Sequence, residues 1–349
     1  MRPPVPVGVT AAALWLPVPR DTAADAIAEG RLEARVAQDL GHRHLPVADD
    51  DLPAPAMAVR AASEALLGSD VAPGELALLC HSWMYYQGHD LWSAPHYIAD
   101  QLGALAALPV GVRQICNGGA AALELAVARM SLETGVRRAL VTTADRFSGP
   151  GFDRWRSDYG AAYGDAGTAV LLRQPAAPDD PLLLRSLHSA AAPHLEAMHR
   201  GADPFARVPR DNSPVVDMRR TKRFYLREHG VESFNKVNHD MIRHVLERAL
   251  QDAGVAPDDP RIRLAVLPRL GRKTLRTAWV PTLDALLSAP VVDWGAETGH
   301  LGTGDLAASL SELLRRRALA AGEFAVLLNA GAGFTWSCAV VEAREARSA

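Results

Sequence analysis

Two places in this chain combine residue types that do chemistry. The first is Val112-Arg113-Gln114-Ile115-Cys116-Asn117-Gly118-Gly119, which runs straight into Ala120-Ala121-Ala122-Leu123-Glu124-Leu125-Ala126. It reads as a short strand that turns through a lone cysteine and small residues into an alanine-rich helix. A thiol there sits at a helix N-terminus, where unpaired backbone N–H groups and the helix dipole favour the thiolate and make a nucleophile of an ordinary cysteine. Free cysteine is more commonly a small buried packing residue. That fate suits Cys80, which ends the run Leu76-Ala77-Leu78-Leu79, and Cys338. It does not suit Cys116, because Asn117-Gly118-Gly119 removes the bulk that a packed sulfur would touch. The second place is Gly299-His300-Leu301-Gly302-Thr303-Gly304-Asp305. A histidine can take the thiol proton and later act as base toward an incoming nucleophile. An aspartate can accept from the other ring nitrogen and fix the tautomer. Alone, Asp305 equally fits a helix cap and His300 a hydrogen-bonded turn histidine. Together, with glycines at 299, 302 and 304 clearing space, they favour a catalytic triad of Cys116, His300 and Asp305.

The two turns must meet for that triad to exist. The order of elements offers a way. Helices are expected near Asp21-Thr22 and over 54–67, and strands over 75–79 and 138–143. Tyr163-Gly164-Asp165-Ala166-Gly167 then turns into a buried strand at 168–172, and Pro175, Pro178 and Pro181 mark a boundary. The layout recurs in the second half. A strand at 264–267 resembles the one before Cys80, and the Gly299–Asp305 turn leads into a helix at 306–317. A strand at 324–328 matches 139–143, and Gly331-Ala332-Gly333 opens a closing strand at 334–341. Strand, helix, strand, glycine turn, strand, twice over, is an α/β pattern with helices covering sheets. Halves at 1–174 and 175–349, related by a pseudo-twofold axis, would bring the Cys116 and His300 turns face to face.

At 349 residues and 48% hydrophobic, the chain can bury a large core. Three cysteines exclude a disulfide framework and fit a reducing compartment. A net charge of -3 gives no general pull toward nucleic acid or anionic membrane. No stretch is apolar for long enough to span a bilayer, and prolines interrupt the start of the chain, so no secretory leader is read and a cytoplasmic location is expected. No His/Cys/Asp grouping has metal-ligand spacing. His42, His44, His229, His239 and His244 are expected at the surface, while His81, His89, His194 and His199 are pocket candidates. The aromatic segments 83–86 and 152–155, with Trp92, fit a water-excluding pocket or lid as well as ordinary packing. Residues 204–230 are rich in arginine, either a solvated face or a docking patch for an acidic partner.

Several of these segments resemble the thiolase superfamily, specifically ketoacyl-acyl carrier protein synthase III. The Cys116 turn is similar to that family's nucleophile turn. Tyr163-Gly164-Asp165-Ala166-Gly167-Thr168-Ala169-Val170 resembles its Phe-Gly-Asp-Gly-Ala-Gly-Ala motif, and Asn329-Ala330-Gly331-Ala332-Gly333-Phe334-Thr335-Trp336 its glycine-rich C-terminal signature. The resemblance implies a five-layered αβαβα fold, a homodimer, an acyl-thioester on Cys116, and an oxyanion hole from the backbone N–H groups of Cys116 and Ala332. It also implies no tightly bound cofactor, with coenzyme A or a phosphopantetheine carrier presenting the acyl thioester. Candidate substrate or carrier contacts are Trp83, Tyr85, Arg154, Arg156, Arg220 and Arg223.

The departures redirect the chemistry. Condensing members carry Pro-His-Gln-Ala-Asn; here the corresponding stretch reads Leu267-Pro268-Arg269-Leu270-Gly271-Arg272. Arginine is neither a neutral base nor a hydrogen-bond acceptor. The later Gly-Asn-Thr-Ser-Ala-Ala-Ser motif reads Gly302-Thr303-Gly304-Asp305-Leu306-Ala307-Ala308-Ser309. This looks like a natural-product subgroup with a Cys-His-Asp triad, resembling the aromatic acyltransferases that handle 6-methylsalicyl or orsellinyl groups in pactamycin and related pathways. The expected activity is non-decarboxylative acyl transfer to an amine or hydroxyl of a small molecule, from a carrier protein or coenzyme A. The alternatives are a starter-unit condensing enzyme, transfer between carrier proteins, and a silent partner subunit.

Overall fold

The structure is a computed structural model and describes residues 1–344. Ten strands carry the fold: β1 (Val7–Trp15), β2 (Leu78–Ser82), β3 (Leu108–Val112), β4 (Arg138–Asp145), β5 (Ala166–Arg173), β6 (Leu182–Ala191), β7 (Ile262–Val266), β8 (Val291–Val292), β9 (Phe324–Gly331) and β10 (Thr335–Ala343). The principal helices are α1 (Ala54–Leu67), α2 (Ala94–Leu102), α3 (Gly118–Leu132), α4 (Met218–His229), α5 (Val231–Ala253) and α6 (Asp305–Arg316).

Strand order is β3-β2-β4-β5-β1 in the first half and β8-β7-β9-β10-β6 in the second. Each strand therefore has its counterpart five numbers on. The pairing directions agree as well. β2 is parallel to β3 and β4, and β7 is parallel to β8 and β9. β4–β5, β5–β1, β9–β10 and β10–β6 are antiparallel. Among the described residues the two sets join where Val7–Val9 of β1 pairs with Leu182–Leu184 of β6.

Side chains alternate across each strand, and both faces are covered, so the central strands read as unbroken apolar runs. Leu79, Leu140 and Leu171 point outward onto Met57, Ala58 and Ala61 of α1. Leu78, Val141 and Val170 point inward, as do Val266, Leu327 and Val341 from the other sheet, and α3 and α6 fill the space between them. The outward residues of the second sheet, Ala265, Val326, Leu328 and Val340, meet Ile242, Val245 and Leu246 of α5. This is the five-layered αβαβα thiolase arrangement expected from the resemblance. The central helix layer matters most for function, because α3 and α6 begin at the two chemically interesting turns.

Candidate active site

Cys116 occupies a sharp bend between β3 and α3. Ile115 is held at φ +45°, a left-handed conformation unusual for a β-branched residue. Asn117 N–H donates to Gln114 O (3.1 Å) and Gly118 N–H to Ile115 O (2.9 Å), closing the bend. The C-terminal glycine signature is its bed. Asn329 Nδ2 donates to Cys116 O (3.3 Å) and to Asn117 Oδ1 (3.0 Å). Asn117 Nδ2 donates to Ser337 Oγ (2.8 Å), and Gln114 Nε2 to Thr335 Oγ1 (3.1 Å). Any Cβ on Gly331 would lie 2.4 Å from the Asn117 nitrogen, so only glycine lets the two backbones touch. Ala332 follows directly in that turn. Cys116 is half-buried, unlike Cys80 and Cys338. Burial pushes the Cys80 thiol up to about 12 and raises that of Cys338 as well, which keeps both protonated.

The opposite turn supplies the imidazole. His300 is buried, and its Nδ1 is 2.7 Å from Asp305 Oδ2. Asp305 Oδ1 accepts from Leu301 N–H (2.9 Å), and Oδ2 also from Arg269 N–H (3.0 Å). The remaining ring nitrogen, Nε2, is buried and has no partner of standard hydrogen-bond geometry, but the Cys116 thiol is near enough to act on the ring by charge and hydrogen bonding. Burial disfavours the imidazolium; Asp305 and Cys116 outweigh it, so His300 is raised well above the ordinary histidine value. Burial also opposes the Asp305 carboxylate, but the charge and hydrogen bond of His300, then Arg269 and the Leu301 N–H, bring it below the ordinary aspartate value. The fold thus gathers Cys116, His300 and Asp305 into one cluster, half-buried at the sulfur and fully buried at the imidazole and carboxylate.

Two glycines of α3 permit the approach. A Cβ on Gly118 would fall 2.1 Å from Ser82 Oγ, and one on Gly119 only 2.3 Å from Thr303 O. Asp145, at the end of β4, locks the same region. Its carboxylate accepts from Met84 N–H, Tyr85 N–H, Thr303 N–H and the Thr303 hydroxyl, at 2.8–2.9 Å. Burial nonetheless moves Asp145 up to about 6.

The Tyr163–Gly167 motif positions His300. His300 N–H donates to Ala162 O (2.8 Å) and Gly164 N–H to His300 O (3.0 Å). A Cβ on Gly164 would sit 2.1 Å from Thr298 O. Asp165 accepts from Ala48 N–H, Phe147 N–H and both Arg154 Nη atoms. The Tyr163 ring lies edge-on to His300 at 5.2 Å, and its hydroxyl donates to Asp158 Oδ2 (3.2 Å). Tyr163 and Asp145 escaped the sequence reading as site residues. Tyr163 lay within a quoted motif, whereas no local pattern around Asp145 announces four converging donors.

The six candidate contacts are dispersed. Trp83 and Tyr85 are half-buried beside the Asp145-anchored loop, Trp83 stacked on His81 and Tyr85 against Phe147 and Phe152. Arg154 is clamped on Asp165, its side chain 11% exposed. Arg156 is exposed. Arg220 forms a bidentate pair with Asp203, and Arg223 donates to the Tyr159 hydroxyl, both on the surface. Most of the aromatic 152–155 stretch is core: Phe152 packs with Phe147 and Tyr163, and Trp155 is buried with Nε1 on Asp21. Trp92 is 40% exposed. His42 corrects the surface expectation: it is buried, with Nδ1 3.2 Å from Gly295 O. His81 is also buried, bonded to Thr142 and Gln87 rather than lining a pocket. No group of three or more metal-ligating side chains exists among the described residues, and no helix there is long and apolar enough to cross a membrane.

Known proteins resemble the chain over almost its whole length. Residues 111–190 match the 3-oxoacyl-[acyl-carrier-protein] synthase III family and residues 250–343 its C-terminal domain family. The structure of ChlB3, an acyltransferase, is 30% identical, with a TM-score of 0.87 over 97% of this chain and 98% of that one. AbyA1, a tetronic acid condensing enzyme, gives 23% and 0.74 over 96% and 99%. The synthase III of Aquifex aeolicus gives 18% and 0.76 over the same shares. No curated protein matches. A full-length relative at this identity, with the synthase III family matched in both halves, places the chain in the ketoacyl synthase III-like family of the thiolase superfamily.

Proposed function

We propose that the protein transfers an acyl group, without decarboxylation, from a carrier-protein or coenzyme A thioester through a Cys116 acyl-enzyme to an amine or hydroxyl. One observation carries this reading. The stretch that resembles the condensing enzymes' histidine motif holds a buried arginine, while His300, with Nδ1 2.7 Å from Asp305, keeps a buried and unpaired Nε2 and has the Cys116 thiol among the groups acting on its ring. The machinery for a nucleophile–base cycle is present without the base that assists decarboxylation. In the first half-reaction the thiol proton passes to His300 Nε2, sulfur adds to the thioester carbonyl, and the carrier thiolate leaves and takes the proton back. In the second, His300 Nε2 receives the acceptor proton as the acceptor attacks and Cys116 departs as thiolate. Asp305 holds the tautomer and stabilises the imidazolium. Backbone N–H groups of Cys116 and Ala332, in touching turns, are the donors for the developing oxyanion.

The sulfur is half-buried, so the thioester carbonyl has to be carried in to it, a task that suits a phosphopantetheine arm. Association into a homodimer is part of the same proposal: β3 is an edge strand, Leu108 is 47% exposed on it, and Leu91, Trp92 and Leu125 are exposed too.

Weighing the intact protein after incubation with a panel of acyl thioesters tests the reading. An added acyl mass that vanishes in Cys116→Ala, and that an amine or hydroxyl then removes, is expected. Carbon dioxide release and a two-carbon-extended product from a malonyl donor would replace it with condensation.

A further inference from the structure

The turn that carries His300 touches the helix that follows Cys116 at Thr303. This residue lies shortly after His300 and is wholly buried. On one side its carbonyl oxygen and methyl group face the first turn of α3. A Cβ on Gly119 would lie 2.3 Å from Thr303 O, and one on Gly118 would lie 3.0 Å from Thr303 Cγ2. On the other side, Thr303 N–H donates to Asp145 Oδ2 (2.9 Å), and its hydroxyl reaches both Asp145 Oδ2 (2.9 Å) and Ser82 O (3.1 Å). A single hydroxyl proton is shared between those two acceptors. The flanking glycines bring the turn close to the end of β4. Gly302 has φ +61° and a Cβ on it would fall 2.3 Å from Asp145 Oδ2, while one on Gly304 would fall 2.9 Å from Thr143 Oγ1.

Asp145 is built as an anchor for this contact. It is fully buried, and the donors that converge on it are neutral: Met84 and Tyr85 N–H at Oδ1, Thr303 N–H and hydroxyl at Oδ2. Holding a carboxylate in the interior on neutral donors alone is costly. An amide of the same shape would present an NH₂ group to one of the two sets. Acceptor capacity on both oxygens is what the carboxylate contributes, and it ties the loop after β2 to the His300 turn through one side chain.

Thr303 is therefore a spacer, with α3 in front of it and Asp145 keeping it from sliding. The Cys116 bend is bedded from the far side by Asn329 and Gly331, so a shift at Thr303 changes the gap between the two turns rather than carrying both along. We propose that Thr303, held by Asp145, is a positioning residue that sets the separation of the Cys116 thiol from the His300 imidazole. The proposal rests on the triad reading above. Proton exchange between sulfur and Nε2 depends steeply on that separation, a displacement of about 1 Å costing on the order of 100-fold in rate.

The test is the rate of Cys116 alkylation by iodoacetamide at neutral pH, followed by the mass of the intact protein, which needs neither donor nor acceptor. Cys80 and Cys338 are buried and stay out of the reaction. Asp145→Asn keeps the shape and loses one set of acceptor contacts. It also removes a negative charge, which by itself would favour the thiolate, so slowing reports geometry. We expect Asp145→Asn and Thr303→Val to alkylate about tenfold more slowly than the wild type, and Thr303→Ser, which keeps the hydroxyl, to stay within about twofold of it. In a His300→Ala background, Asp145→Asn should change the rate by less than about twofold, because the group whose distance it sets is gone. Wild-type alkylation in Asp145→Asn, equal slowing in both backgrounds, or Thr303→Ser as slow as Thr303→Val would overturn the proposal. A melting curve on each variant ensures that folded protein is compared. His300→Ala alkylating like the wild type would sink the triad reading and this proposal with it. If no acyl thioester loads the wild type, the acyl-transfer reading fails while these rates still decide the role of Thr303.

Discussion

At the residue scale, the site is a lesson in what local context can and cannot reveal. Asn117-Gly118-Gly119 after Cys116 read as a place without the bulk a packed sulfur would touch, and the structure adds what the glycines admit: Gly119 meets Thr303 O and Gly118 meets Ser82 Oγ. His300 and Asp305 were legible as a pair because five residues separate them across a glycine-rich bend. Asp145, Tyr163 and the buried state of His42 were not, because their partners come from segments distant in sequence. Asp305→Asn tests the finest point of the cluster. An amide keeps the shape but brings no charge to an imidazolium, and its NH₂ group faces a backbone donor either way, Leu301 N–H at one oxygen position or Arg269 N–H at the other. Transfer measured at saturating donor is expected to fall, yet less than in His300→Ala, since the base survives.

Among elements, turns and helix contacts decide whether the residues meet. Gly119→Ala forces a Cβ to within 2.3 Å of a backbone oxygen, which cannot swing away as a side chain can. A loss of about 1–3 kcal/mol is expected by chemical denaturation, with activity falling further because the same shift separates the two turns. Four basic residues of the arginine-rich segment, Arg219, Arg220, Lys222 and Arg223, are engaged by residues 155–159 and Asp203. In α4, Arg219 donates to Asp158 O and Trp155 O, Arg220 holds Asp203, and Lys222 holds Asp158. Asp158 is buried, which would raise its pKa, but Lys222 and further donors bring it to about 2 from 3.8. Because the folded value is depressed, the stabilisation is full above about pH 4 and is lost as pH falls through about 2. The difference corresponds to about 2 kcal/mol. Lys222→Met should therefore lower stability at pH 7 by about that much, and the deficit should shrink toward pH 2. Elements were readable where both faces are buried, as in β4 and β9, whose apolar runs stand out. β1 was missed because Ala11, Ala12 and Ala13 carry little strand signal, although all are covered by neighbours. α5 was missed because apolar burial is concentrated in its C-terminal half, from Ile242 onward. β2 begins three residues later than expected, after a short turn at Pro73–Glu75.

Across the whole molecule, the repeated five-strand order explains why one half supplies the nucleophile and the other the base. α3 and α6 occupy equivalent places, so the bends that start them must meet in the central layer. The sequence repeat was visible only in outline, because the matching segments share pattern rather than residues. The exposed β3 edge gives a further prediction at this scale. Under the proposed dimer, Leu108→Asp should give a monomer in light scattering where the wild type gives twice that mass, with reduced activity; the same mass for both would contradict an interface at β3. The most direct test of the central claim is acyl exchange between an acyl-coenzyme A and free pantetheine, which a covalent cysteine cycle must catalyse whatever the natural acceptor is. The account predicts exchange by the wild type, none by Cys116→Ala, and a loss of at least about 100-fold in His300→Ala. Exchange that persists without the thiol, or that proceeds at the wild-type rate without the imidazole, would contradict it.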